Sequence, residues 1–161
     1  MLGDTREKSP PDLLFRFRSP EVPAGKDGMV GEATIRILIV DDDPYFLRVL
    51  SRILSAENFQ VKTAEGASQA TQVLRENAFD LVISDLRLPD GDGLSILQEI
   101  RKAGREIPVV ILTAYGEVDN YLEAMNAGAT EYLNKPVKSD ELIEVVRNCL
   151  RSRAASPEGA P

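Results

Sequence analysis

Short strand-like runs alternate five times with helix-period stretches across residues 35–151, and this order constrains the chain more than any other feature. Residues 35–40, 79–85 and 107–113 are apolar without polar alternation. Such runs read as strands buried on both faces, as in parallel sheets. Residues 60–64 and 131–134 read as weaker strands. After the first strand, Asp43 suits a helix N-cap and Pro44 the first helical position. Phe46, Val49, Leu50, Ile53 and Leu54 then recur at the spacing of a buried stripe, in a helix ending near Asn58. Further helices are expected over residues 68–77, with Ala70, Val73 and Leu74 inward, and over 93–102, with Leu94, Ile96, Leu97 and Ile100 inward. A fourth covers residues 118–126, with Gly128 as its stop. The fifth begins at a Ser139 or Asp140 cap and reaches about Arg151, with Leu142, Val145, Val146, Cys149 and Leu150 apolar. The order βα repeated five times predicts a doubly wound α/β domain: a five-stranded parallel sheet, right-handed crossovers, and helices on both faces.

This domain is expected over residues 34–152. Residues 1–33 are interrupted by Pro10, Pro11, Pro20 and Pro23 and read as a disordered extension, in which Leu13-Leu14-Phe15-Arg16-Phe17-Arg18 is the one apolar piece. Residues 153–161 read as a flexible tail or linker. The net charge of −7, with no basic stripe, argues against nucleic acid as a direct partner. No apolar run reaches the roughly 18 residues of a membrane span. The single Cys149 rules out an internal disulfide, fits a reducing compartment and is expected in the core. The chain has no histidine. That excludes a Ser-His-Asp triad, imidazole metal ligands and a phosphohistidine carried here.

Four strand ends carry polar groups: Asp41-Asp42, Asp85, Thr113 and Lys135. A parallel sheet brings all of them to one edge, where ligand chemistry collects. Singly, each has a plainer role as helix cap, strand former or solvated charge. Together, three converging carboxylates repel one another, and a hard divalent cation such as Mg²⁺ relieves the conflict. Asp42 and Asp85 are the expected direct ligands, with Asp41 holding a bound water. Lys135 adds an ammonium and Thr113 a hydroxyl, so Asp85 is surrounded by what phosphoryl transfer needs and is the candidate nucleophile.

Residues Ile37-Leu38-Ile39-Val40-Asp41-Asp42-Asp43, Asp80-Leu81-Val82-Ile83-Ser84-Asp85 with Leu88-Pro89-Asp90-Gly91-Asp92-Gly93, Val110-Ile111-Leu112-Thr113-Ala114 and Gly128-Ala129-Thr130-Glu131-Tyr132-Leu133-Asn134-Lys135-Pro136 carry a further reading. With these motifs in this order, residues 36–151 resemble the receiver domain of two-component response regulators. The resemblance implies a flavodoxin-like (βα)5 fold. It also implies a cytoplasmic signalling domain, not a dedicated enzyme, that takes a phosphoryl group onto Asp85 in a Mg²⁺-dependent reaction. The donor would be the phosphohistidine of a sensor histidine kinase or phosphotransfer protein. The Arg87 backbone carbonyl would complete the metal site, and the Lys135-Pro136 bond would be cis. Thr113 and Tyr132 would switch a surface formed by the fourth helix, fifth strand and fifth helix. That surface would serve a downstream protein, an output domain or a homodimer. Arg87 and Tyr115 occupy positions that in the family influence how fast the acyl phosphate hydrolyses; both are large, and they are expected to hinder the attacking water and lengthen the phosphorylated lifetime.

Two other classes compete. Ile39-Val40-Asp41-Asp42-Asp43 loosely fits the Asp-x-Asp of Mg²⁺-dependent haloacid-dehalogenase-like phosphatases, although Asp140-Glu141, the acidic pair after Pro136, reads as helix cap and first turn. An interaction module of the same fold that works without phosphorylation is the other. A flavin site is disfavoured because the loop after the first strand is acidic.

Overall fold

The computed structural model describes residues 33–114 and 118–155. Most of the N-terminal extension, including residues 13–18, lies outside the described residues, as do Tyr115 and the tail beyond residue 155. The main strands are β1 (Arg36–Val40), β2 (Gln60–Ala64), β3 (Leu81–Asp85), β4 (Val109–Thr113) and β5 (Glu131–Asn134). The helices are α1 (Pro44–Ser55), α2 (Ala67–Glu76), α3 (Gly93–Lys102), α4 (Val118–Asn126) and α5 (Ser139–Ala155). The sheet is parallel throughout, in the order β2-β1-β3-β4-β5.

Strand alternation divides the core into two layers. Leu38, Val40, Val82, Val109 and Ile111 face Leu74 of α2, Leu97 and Ile100 of α3, and Ala124 of α4. Ile37, Ile39, Leu81, Ile83, Val110 and Leu112 face Leu47, Leu50 and Leu54 of α1 and Leu142, Val146 and Cys149 of α5. Both faces of the three central strands are therefore covered, which is why their sequences lack polar alternation. β2 and β5 lie at the sheet edges and are partly exposed, so their patterns are weaker. Cys149 is a core residue, as expected; burial, with a contribution from Glu131, pushes its thiol pKa up to about 11.

Three features differ from the sequence reading. The deepest residues of α1 are Leu47, Leu50 and Leu54, with Phe46 and Ile53 only partly buried. Helix α5 runs past Arg151 to Ala155, and Arg153 in the added turn reaches Asp80 at 3.2 Å. The loop after β3 also contains a two-residue antiparallel ladder, Arg87–Leu88 against Gly91–Asp92. The Lys135-Pro136 peptide bond is cis, as expected.

Candidate functional site

The carboxyl ends of β1, β3, β4 and β5 meet along one edge. Asp41 follows β1, Asp85 and Thr113 close β3 and β4, and Lys135 follows β5. The Lys135 amide donates to the Thr113 carbonyl at 2.7 Å, which ties the last two strand ends together. Asp41 is buried: its Oδ1 accepts from the Asp43 amide at 2.9 Å and its Oδ2 from Lys135 Nζ at 2.6 Å. Lys135 Nζ also donates to Asp85 Oδ2 at 3.2 Å, so one ammonium bridges two carboxylates. Asp42 is exposed beside them.

Burial raises the Asp85 carboxyl pKa, and the Asp41 charge adds to the effect; Lys135 opposes both without cancelling them. Burial acts to lower the Lys135 pKa, but hydrogen bonding and charge from Asp41, then Asp85, outweigh it and hold the ammonium raised. One candidate oxygen each from Asp41, Asp42 and Asp85 lies within 4.8 Å of the other two. A donor set made only of carboxylate oxygens suits a hard cation such as Mg²⁺.

The loop after β3 is laid directly on the strand end. The Gly93 amide donates to the Leu86 carbonyl at 2.8 Å. A Cβ at Gly93 would stand 2.6 Å from the Asp85 carbonyl oxygen and 3.0 Å from Ser84 Oγ, so glycine permits this approach. Ser84 Oγ donates to the same carbonyl at 2.9 Å. Asp92 caps α3 by accepting from the Ser95 amide at 2.8 Å.

The residues anticipated from sequence fall into three groups. Asp41, Asp42, Asp85 and Lys135 come together, with buried Thr113 one residue beyond Leu112, the register partner of Asp85. Arg87 exposes its side chain and pairs through its backbone with Asp92. Tyr132 packs partly buried against the α2–α4 core layer, its ring edge-on to Tyr121 of α4 at 5.6 Å. Tyr115 is outside the described residues.

Two residues near this edge escaped the sequence reading. Phe46, taken as part of a core stripe, places its ring 4.4 Å from Lys135 Nζ. Asp90 reaches across to α2 and accepts from the Ala67 and Ser68 amides at 2.7 and 3.0 Å. No local pattern could reveal either, because each contact joins segments far apart in the chain.

The family model described as response regulator receiver domain matches residues 37–147. The chain is 38% identical over 126 residues to the response regulator protein PilR of Pseudomonas aeruginosa, covering 78% of this chain and 28% of that protein. It is 41% identical over 114 residues to the transcriptional regulatory protein ZraR of Klebsiella oxytoca, covering 71% of this chain and 26% of that protein. The chain thus spans little more than a quarter of these curated relatives. Among solved structures, a receiver domain protein from Clostridium thermocellum aligns with TM-score 0.71 and 34% identity, over 74% of this chain and 97% of that one. A CheY-like receiver domain protein from Methanospirillum hungatei aligns with TM-score 0.73 and 31% identity, over 76% and 98%. The chain belongs to the family of response-regulator receiver domains.

Proposed function

We infer that this domain accepts a phosphoryl group on Asp85 from the phosphohistidine of a sensor histidine kinase or phosphotransfer protein, and that the reaction requires Mg²⁺. The observation that carries the reading is the Lys135 ammonium shared between Asp41 and Asp85. Both Asp41 oxygens are engaged, one by the Asp43 amide and one by Lys135. That leaves Asp41 ill suited to attack phosphorus and counts against the Asp-x-Asp phosphatase. Asp85 is partly accessible, with a side chain 12% exposed.

In the proposed step, an Asp85 carboxylate oxygen forms a P–O bond as the donor's P–N bond breaks. The electron pair stays on the donor imidazole, which takes a proton from solvent. Partial desolvation of Asp85 strips water from the nucleophile. Lys135 supplies positive charge to the phosphoryl oxygens and Thr113 a hydroxyl donor. Asp42 and Asp85, with Asp41 and the Arg87 carbonyl, are the residues that would hold Mg²⁺. When bound, the ion neutralises charge on the transferred group.

On this reading, Thr113 and Tyr132 pass the change to the α4-β5-α5 surface. That surface serves a downstream protein, an output domain or a homodimer. Arg87 and Tyr115 set the lifetime of the acyl phosphate. A cytoplasmic setting agrees with the buried, unpaired Cys149, and no described helix is long and apolar enough to cross a membrane.

The test is intact-mass measurement after incubation with Mg²⁺ and acetyl phosphate. The expected product carries one labile phosphoryl group and is absent in Asp85→Asn or when EDTA is present. Absence of any adduct in the wild type favours the phosphorylation-independent interaction module. An adduct that survives Asp85→Asn overturns the assignment. Amide NMR of the adduct tests the switch: shifts confined to the phosphorylated edge, sparing α4-β5-α5, count against it. Light scattering of the adduct reads out dimerisation.

A further inference from the structure

Phe46 occupies the third position of α1, and its location is set by the helix start. Pro44 opens the helix, and Asp43 Oδ1 accepts from the Tyr45 amide at 3.0 Å and the Phe46 amide at 3.4 Å. The side chain is half-buried and packs against the α1–α5 core layer. Its ring centroid lies 4.4 Å from Lys135 Nζ, inside the range in which an aromatic quadrupole attracts a cation.

The Lys135 ammonium therefore has the Asp41 and Asp85 carboxylates as hydrogen-bond partners and the Phe46 ring as a third neighbour. An ammonium has three N–H donors on a flexible stem, so hydrogen bonds alone hold it loosely. The ring attracts the charge as a whole and accepts no conventional hydrogen bond. It can thus fix where Nζ sits while leaving donor capacity for an incoming phosphoryl oxygen.

The geometry points to Phe46 as a positioning residue for Lys135, its ring holding the ammonium in place beside Asp85 for phosphoryl transfer. The role rests on the reading of Asp85 as acceptor. It is carried through Lys135, since no contact joins Phe46 to Asp85 itself among the hydrogen bonds and ring contacts described. The ring also explains why an apolar residue in the first turn of α1 stands half-exposed at a charged edge and is not fully buried with Leu47 and Leu50.

Phe46→Leu keeps apolar bulk and removes the ring; Phe46→Tyr keeps the ring. Initial phosphorylation rates across a range of acetyl phosphate concentrations, with Mg²⁺, give a maximal rate and a half-saturating concentration. Phe46→Leu is expected to lower the maximal rate about three- to fivefold with little change in half-saturation, and Phe46→Tyr to restore it. Metal-free NMR supplies a readout independent of transfer. The Lys135 ε-methylene protons should be shifted upfield by the ring in the wild type and in Phe46→Tyr, but not in Phe46→Leu. A wild type that is phosphorylated at a rate matched by Phe46→Leu overturns the positioning role alone. Ordinary ε-methylene shifts in the wild type overturn the contact. A wild type that takes no phosphoryl group removes the parent reading instead, whatever the NMR result. Thermal melting of both variants excludes misfolding as the cause of a slower rate.

Discussion

Arg87 stands exposed two residues past Asp85, on a short ladder that pairs it with Asp92. If it screens the acyl phosphate from the attacking water, Arg87→Ala should shorten the half-life of the adduct several-fold. Following the decay of phosphorylated wild type and variant by intact mass checks this; equal or longer survival of the variant would remove Arg87 from the lifetime determinants. At this scale the site was highly legible. Asp41, Asp42, Asp85, Thr113 and Lys135 each stand at a strand end, and a parallel sheet has only one edge to offer them. The neighbours that tune them were not legible. Phe46 carries the same apolar signal whether it fills a core or faces a lysine, and only the tertiary contact tells the two apart.

The N-cap position of helix α2 is Gly66, which has no side chain to satisfy the first amides. Asp90 supplies the missing acceptor from 23 and 22 residues away, and its carboxylate rests against Gly66, where a Cβ would stand 2.7 Å from Oδ1. These bonds to Ser68 and Ala67 lower the Asp90 pKa below its ordinary 3.8. A depressed folded-state pKa means a contribution present above the unfolded value and lost as pH falls through the folded one. Asp90→Ala should therefore melt a few degrees below the wild type at neutral pH. The gap should close as the solution is acidified past 3.8 and through the depressed folded value. Paired thermal melts across that range provide the check, and a gap independent of pH would assign the loss to something other than the charged cap. The sequence showed where α2 starts to within one residue, but a cap borrowed from another loop leaves no trace in local spacing. The length of α5 was missed for a similar reason: its last turn includes Arg153, whose contact with Asp80 spans 73 residues.

Across the molecule, the edge opposite the site is organised by Asp80. Its Oδ2 accepts from the Arg36 amide at 2.9 Å, and its Oδ1 meets Arg153 Nη1 at 3.2 Å. The carboxylate thus joins the start of β1, the entry to β3 and the end of α5. The two bonds are unequal. Arg153 is 40% exposed, and losing an exposed ion pair costs about 0.2–1 kcal/mol. Removing the largely buried carboxylate also strips the Arg36 amide of its acceptor, at about 1–3 kcal/mol. Urea titration should accordingly find Asp80→Ala clearly less stable than Arg153→Ala; equal losses would mean that the ion pair is the whole effect. The layered architecture was readable because unbroken apolar runs in β1, β3 and β4 fit only strands covered on both sides. The exposed edges β2 and β5 gave fainter patterns, since each presents polar residues to solvent.

The bridge between Lys135 and Asp41 spans 94 residues, and that between Lys135 and Asp85 spans 50. A chain still emerging from the ribosome holds Asp41, Asp42 and Asp85 long before it holds their counter-charge. Until β5 is synthesised and laid beside β4, the carboxylates have no ammonium between them, and the edge that would receive a signal is incomplete. Completion of this edge is in that sense a mark of finished synthesis: a copy truncated before β5 carries the clustered carboxylates without the ammonium that bridges them.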